Sequence, residues 1–496
     1  MVTRVTDHNP ASISFAQQLT SEISTLVRVA LAFVVLPNLP FWIGAHFYDT
    51  ALRGYLNIEY LLWGVAFFFI PRVLVGVGMS LSLLFDFIRS SARSYYFTQQ
   101  DLISAYRYLT LLPSRRVVLD GLGLIVISTL WCLFLVRIVA PRNTVRSRCS
   151  LPVILLVIAL LGVSADVTRG RNGVLRVRDS WSGKKLCSAS SITMGRLLIW
   201  NTLRHGRTLP SAVDSSTADL LLSLRSGTFS NTGSNGRHNI VVILVESYGI
   251  LLKGDEAQHL LAPFKSRELA QKYDVSVGEV AFHGATVSGE YRELCGIFAS
   301  IGTDPRALAP CLPSLLKQHG YETAAFHGYT GAMFDRVHWY PELQFDHTYF
   351  EEQFTGDFRF HRCGGALPGV CDSDIAQAIG DRLIASPMRL QFLYWVTLNS
   401  HLPVDPSVEV ATRYGCRDSF SSNTDEDVCT WKSLIENVNE AIARLALRPG
   451  LPSTEFIIVG DHAPPFLLES HRSLFSQSNV PFIHLTPRKQ LHTSLR

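Results

Sequence analysis

Two short apolar runs constrain this chain more than anything else in it. His238 to Gly249 reads HNIVVILVESYG, and Glu455 to Pro465 reads EFIIVGDHAPP. Each has the length and β-branched content of a buried parallel strand, and each puts acids or an imidazole just past its carboxyl end. Open α/β sheets keep their sites at that edge. Between the two runs lies GATVSGE, Gly284 to Glu290, a glycine-bracketed loop whose hydroxyl, Thr286, is a candidate nucleophile. Glu246, Thr286, Asp461 and His462 together would make an oxygen-rich set with one imidazole, suited to a single manganese, magnesium or zinc ion.

The chain of 496 residues is longer than one core usually holds, so at least two folding units are expected. A net charge of +4 is near balance at this length, and no basic stripe with interleaved aromatics points to nucleic acid. Apolar residues concentrate in the first third. Leu26 to Phe47 is interrupted by Arg28, Pro37 and Pro40, and Leu56 to Ile88 is broken by the pair Pro71-Arg72. Val117 to Ala140 and Leu151 to Ala165 follow. Runs of this kind predict a chain that stays in a membrane, since a cleavable leader would not be followed by further spans.

Arginines set the orientation. Arg142, Arg146 and Arg148 mark one loop as cytoplasmic, but Arg89, Arg93, Arg107, Arg115 and Arg116 mark the preceding loop in the same way, and both cannot be. Splitting Leu56 to Ile88 at Pro71 gives five spans, an inside N-terminus and an outside C-terminal domain; leaving it whole gives four. Cysteines support export. Cys295 with Cys311, Cys363 with Cys371, and Cys416 with Cys429 are three close pairs, with no CxxC spacing for zinc, so three local disulfides in an oxidising compartment are expected. Cys187 is left without a role.

The expected organisation is a transmembrane anchor over 1–167, a basic juxtamembrane linker with short helices over 168–234, and an exported domain over 235–496. In that domain strands and helices alternate: Asn239–Val245, Val275–Phe282, Glu322–His327, Leu390–Leu398, Phe456–Val459 and Pro481–Leu485 read as strands, and His259–Tyr273, Pro313–His319 and Trp431–Leu447 as helices. The pattern predicts a mostly parallel α/β sheet sandwiched by helices.

Five motifs stand in order: the strand-terminal VES, GATVSGE, FHGYTGAMFDR, TLNSHLP and VGDHAPPF. In this order they resemble the lipoteichoic acid synthase-like branch of the alkaline phosphatase and sulfatase superfamily, over roughly residue 235 to the end, with a polytopic anchor of the right kind before it. The resemblance implies an alkaline phosphatase-like fold. It also implies that Thr286, with Glu290 four residues on, is the nucleophile and one ligand of a divalent metal completed by Glu246, Asp461 and His462. A hydroxyl is a weak nucleophile until a cation stabilises its alkoxide. His327, Arg336 and His401 would form the anion-binding wall, the arginine as a two-donor fork and the histidines as proton donors. The family usually has tryptophan and asparagine where Phe334 and Asp335 stand. One segment, Cys311-Leu312-Pro313-Ser314, resembles the formylglycine signature of sulfatases, but Leu315 replaces the arginine that signature requires.

What the resemblance implies is a membrane-anchored transferase of the bacterial cell envelope. It would take phosphoglycerol or phosphoethanolamine from a phospholipid donor, hold it on Thr286, and pass it to an envelope glycan or lipid acceptor. The rival readings are a sulfatase-like hydrolase or phosphodiesterase on the same fold, a scaffold with a decayed site, and a transporter. Intact Glu246, Thr286, Asp461 and His462 speak against the scaffold. The globular bulk of the chain speaks against the transporter.

Overall fold

The computed structural model describes residues 15–47, 55–94, 96–97, 101, 106–111, 123, 126–134, 147–168, 187–188, 211–229, 238–364, 367–402, 426–466 and 468–488. They form two compact units, one from residues 1–90 with 115–196, the other from 91–114 with 197–496.

The first unit is helical. Helices cover Phe15–Ala30, Leu36–Phe47, Ile58–Ala66 and Ser147–Thr168, and Arg72–Ser94 runs to the edge of the unit. Phe33, Tyr60, Leu61, Met79, Leu83 and Leu155 pack between them, while Phe69, Val73 and Leu161 point outward. Apolar residues on both sides of a helix are what a lipid surround selects. Among the described residues two stretches are long and apolar enough to cross a membrane, Ile23–Ile43 and Arg72–Ser90, and Pro152–Ala165 is a shorter apolar helix. Pro71 does break the apolar stretch Leu56–Ile88 into two helices, as its missing N–H requires. The arginine loop at 141–146, much of the span at 117–140, and the linker residues 169–186 and 189–210 lie outside the described residues.

The second unit is built on a seven-stranded sheet. Its strands are β1 (Asn239–Val245), β2 (Tyr273–Ala281), β3 (Glu322–His327), β4 (His347–Tyr349), β5 (Gln391–Val396), β6 (Thr454–Gly460) and β7 (Asn479–Pro487), in the order β2-β7-β6-β1-β5-β3-β4. Pairing is parallel from β6 to β4, and β7 alone runs against the rest. Every residue of β1 and β5 is buried, which is why these strands are apolar on both faces. Helices α1 (Thr286–Cys295), α2 (Leu312–Gln318), α3 (Arg336–Glu342), α4 (Asp372–Ala385) and α5 (Glu426–Leu447) connect or cover the strands. The helix expected over 259–273 is instead three short turns, 254–260, 262–265 and 267–272, because Pro263 and the Ser266 cap interrupt it.

Two of the three expected disulfides are described, Cys295–Cys311 and Cys363–Cys371. Cys429 is disulfide-bonded, and its expected partner Cys416 lies outside the described residues. Residues 211–229, read in the sequence as connector, belong to this unit: Ser211–Ala212 pairs with Ile297–Phe298, and Ser216 donates to the buried carboxylate of Glu293.

Candidate active site

The carboxyl ends of β1 and β6 lie side by side, Val245 paired with Gly460. Glu246 and Asp461 are therefore neighbours although 215 positions apart in sequence. Glu246 Oε2 accepts from the Thr286 hydroxyl at 3.1 Å, and its Oε1 accepts from Ser247 Oγ at 2.8 Å. Ser247 has φ +56°, an uncommon conformation for a residue with a side chain. It is held there because its N–H donates to Asp461 Oδ1 at 2.7 Å and its carbonyl accepts from Trp431 Nε1 at 2.9 Å. Thr286 is the first residue of α1, so the helix amino end lies behind its hydroxyl. The helix comes this close to β6 because residue 289 is glycine: a Cβ there would stand 3.1 Å from that of Asp461. Arg292, on the same helix, donates to the carbonyls of Gly460 and Asp461 at 2.6 and 3.2 Å and ties the helix to the turn.

Glu246, Asp461 and His462 are all buried and offer ligand atoms within 4.8 Å of one another. Nδ1 of His462 faces the Ala463 carbonyl at 2.8 Å and so carries the proton, leaving the Nε2 lone pair 3.3 Å from Asp461 Oδ2 and 3.6 Å from Glu246 Oε1. Among the described residues, no hydrogen bond reaches Asp461 Oδ2 within normal geometry. Lone pairs directed at one another in a buried space cost free energy unless a cation lies between them, so these residues fit a divalent metal. The titration follows from the same crowding. Burial and the charge of Glu246 push the Asp461 carboxyl well above its usual range. Burial also works against ionised Glu246, but His401, His462 and the bonds from Ser247 and Thr286 outweigh it and hold its carboxyl low. A cation between the two carboxylates would favour the ionised form of both.

The remaining sequence candidates surround this cluster. His327 ends β3 with Nδ1 bonded to the Val396 carbonyl at 3.0 Å, and burial together with the Arg336 charge pulls its pKa down to about 3. The ring is neutral with its proton on Nδ1. Its Nε2 is therefore an acceptor, not the donor foreseen from sequence. His401 follows β5 and interacts electrostatically with Glu246 and His462, and burial lowers its pKa. Arg336 is buried and gripped by Glu290, which is one turn beyond Thr286 on α1. Phe334 lies under the guanidinium, 5.2 Å away, and both Phe334 and Asp335 have positive φ.

Several contributors carry no signal in a single sequence. Tyr96, from the segment between the apolar runs, is fully buried, with its ring 5.3 Å from that of His462, the Arg472 guanidinium 4.9 Å from its centre, and its hydroxyl 3.2 Å from Gln477 Oε1. Asp101 accepts from the Ile301 amide at 2.8 Å, Tyr329 donates to the Leu111 carbonyl at 3.0 Å, and Tyr108 meets Phe334 edge to face at 5.5 Å. Tyr96, Asp101, Tyr108 and Leu111 thus pack along the same edge of the sheet as the candidate site. Away from the cluster, Asp304 caps a turn at Pro305–Ala307 and His484 pairs with Glu455.

A family model for sulfatases matches residues 238–494, more than half the chain and every residue of the cluster. The chain belongs to the sulfatase family. Among solved structures, this sulfatase-family chain is similar to the integral membrane lipooligosaccharide phosphoethanolamine transferase EptA from Neisseria meningitidis, at 13% identity and TM-score 0.50, over 94% of this chain and 88% of that one. It is also similar to the lipoteichoic acid synthase LtaP from Listeria monocytogenes, at 16% identity and TM-score 0.38, over 50% of this chain and 65% of that one. A third is the Streptococcus pyogenes phosphoglycerol transferase GacH in complex with sn-glycerol-1-phosphate, at 13% identity and TM-score 0.39, over 57% and 80%. At these identities the likeness is one of fold. No curated protein matches the sequence.

Proposed function

We propose that this sulfatase-family chain is a membrane-anchored transferase that moves a phosphoglycerol or phosphoethanolamine headgroup from a phospholipid to an envelope glycan or lipid. The observation that carries the reading is the Thr286 hydroxyl, 3.1 Å from Glu246 at the amino end of a helix, inside a buried cluster of two carboxylates and an imidazole. Glu246, Thr286, Asp461 and His462 would hold one divalent cation, manganese, magnesium or zinc, which when bound lowers the pKa of the threonine hydroxyl and offsets charge on the phosphoryl oxygens. Thr286 Oγ gives up its proton and attacks the donor phosphorus, the bond to the diacylglycerol oxygen breaks, and that oxygen takes up a proton. An acceptor hydroxyl then attacks the phosphothreonine, its proton leaves, and Thr286 is regenerated. His327, with an acceptor Nε2, is suited to receive that proton; Arg336 and His401 line the anion side.

Anchoring and orientation are part of the same reading. The described residues of 91–114 belong to the catalytic unit, which supports placing that loop on the same side of the membrane as the domain. Two spans separate the loop from the domain whether the chain has four spans or five; with an inside N-terminus, five spans turn both to the periplasmic or extracellular side of the cell membrane.

The test is mass spectrometry of the full-length protein in detergent after incubation with envelope phospholipids and a divalent metal. The expected result is a mass increment of one headgroup phosphate on the Thr286 peptide. Release of headgroup with no adduct on Thr286, and unchanged release by T286A, would overturn it.

A further inference from the structure

The hairpin formed by Arg362–Cys363 and Gly369–Val370 is closed by the Cys363–Cys371 disulfide and connects the segments that carry His327 and His401. On one side Val370 N donates to the Gly328 carbonyl at 2.7 Å, one residue beyond His327. The contact is backbone on backbone, since a Cβ on Gly369 would stand 2.3 Å from that carbonyl oxygen. On the other side is Asp372, directly after the bridged Cys371 and 2% exposed. Its Oδ1 accepts from Leu398 N at 3.0 Å, and its Oδ2 from Leu398 N and Asn399 N at 3.1 and 2.8 Å. Its own N–H donates to Asn399 Oδ1 at 2.7 Å. An acid in the first turn of a helix ordinarily serves that helix's amino end. Asp372 instead spends both oxygens on the loop after β5.

That loop ends in His401. It is also stitched to Glu246: Thr397 Oγ1 accepts from Glu246 N at 2.9 Å, and Ser400 Oγ donates to Glu246 O at 2.5 Å. His401 N closes the turn onto the Leu398 carbonyl at 3.0 Å. The amides that Asp372 holds are thus the base of the turn that presents His401.

We propose that Asp372 is a positioning residue. Through the amides of Leu398 and Asn399 it sets where His401 stands relative to Glu246 and His327, and the Cys363–Cys371 bridge keeps it in register. The proposal rests on the reading of His401 as a site residue.

The experiment uses full-length protein in detergent with manganese and bis(p-nitrophenyl) phosphate as the phosphodiester probe, together with hydrogen exchange read by mass spectrometry. D372N keeps the size of the side chain but turns an NH2 towards backbone N–H groups. It is expected to speed exchange in the peptide spanning 397–402 and to lower kcat about 30-fold with KM within twofold. In an H401A background the same change should cost less than about twofold. Should D372N fail to fold, C363S/C371S carries the same three readouts in the same direction. Unchanged exchange at 397–402, or an equal cost in both backgrounds, overturns the proposal. An H401A enzyme as active as the parent would instead remove His401 from the site, an outcome distinct from failure of the clamp, which exchange reports independently.

Discussion

Glu290 Oε1 accepts two hydrogen bonds from Arg336, 3.0 Å from Nε and 2.7 Å from Nη2, with both side chains buried. Its other oxygen accepts from the hydroxyl of Tyr340. Glu290 shares one face of α1 with Thr286, so the position of the guanidinium is set relative to the nucleophile by a single helical turn. The glutamate of the GATVSGE motif thus acts on the arginine of FHGYTGAMFDR.

Breaking that pair should be costly. E290Q leaves a buried guanidinium without its counter-charge, which typically destabilises by about 3–5 kcal/mol. Thermal unfolding of E290Q should show the loss, and R336M, which removes the charge with it, should be less destabilised. A Tm for E290Q within a degree of the parent would contradict the assignment.

T286A should abolish covalent labelling and turnover while unfolding near the parent temperature. The hydroxyl's bond to Glu246 is worth about 1 kcal/mol, a small part of the fold's stability. T286S should keep a fraction of the activity. Labelling elsewhere in T286A at the parent rate would show that another group is the nucleophile.

Chelation should lower both activity and Tm, since a cation that binds only the folded site stabilises by mass action. Elemental analysis should find one divalent ion per chain, and D461N or H462A should weaken its retention. Two ions per chain would require ligands beyond the one cluster seen among the described residues.

Acid should weaken the far end of the sheet. Glu455 lies between His238, 2.6 Å away, and His484; burial works against its charge, but the two imidazoles prevail and take its pKa down to about 2. A depressed carboxylate contributes stability that is complete above its unfolded pKa of about 4.3 and lost as pH falls through the folded value. A contribution of roughly 3 kcal/mol should therefore be present at neutral pH and disappear between about pH 4 and pH 2. E455Q should flatten that limb of the curve of stability against pH; a parallel curve would show that the trio is not coupled to folding.

The chain's own order of residues determined the elements that are locally encoded. Strands β1, β3, β5 and β6 were legible because a parallel strand buried on both faces must be apolar throughout. Pro71 was legible as a break because proline lacks the N–H that a helix needs. Two disulfides were legible because short loops and odd spacing leave few other uses for cysteines in an exported domain. That Glu246, Asp461 and His462 come together was legible because strand ends of one sheet converge at one edge.

Tertiary structure alone decided the rest. Which nitrogen of His327 carries the proton depends on a carbonyl 69 residues away, and whether Asp372 serves its own helix or a distant loop depends on how α4 is laid against β5. Tyr96 and Asp101 reach the catalytic unit from between two apolar runs whose composition speaks only of membrane. Local propensity is summed over neighbours in sequence, whereas hydrogen-bond direction, desolvation and charge coupling are summed over neighbours in space.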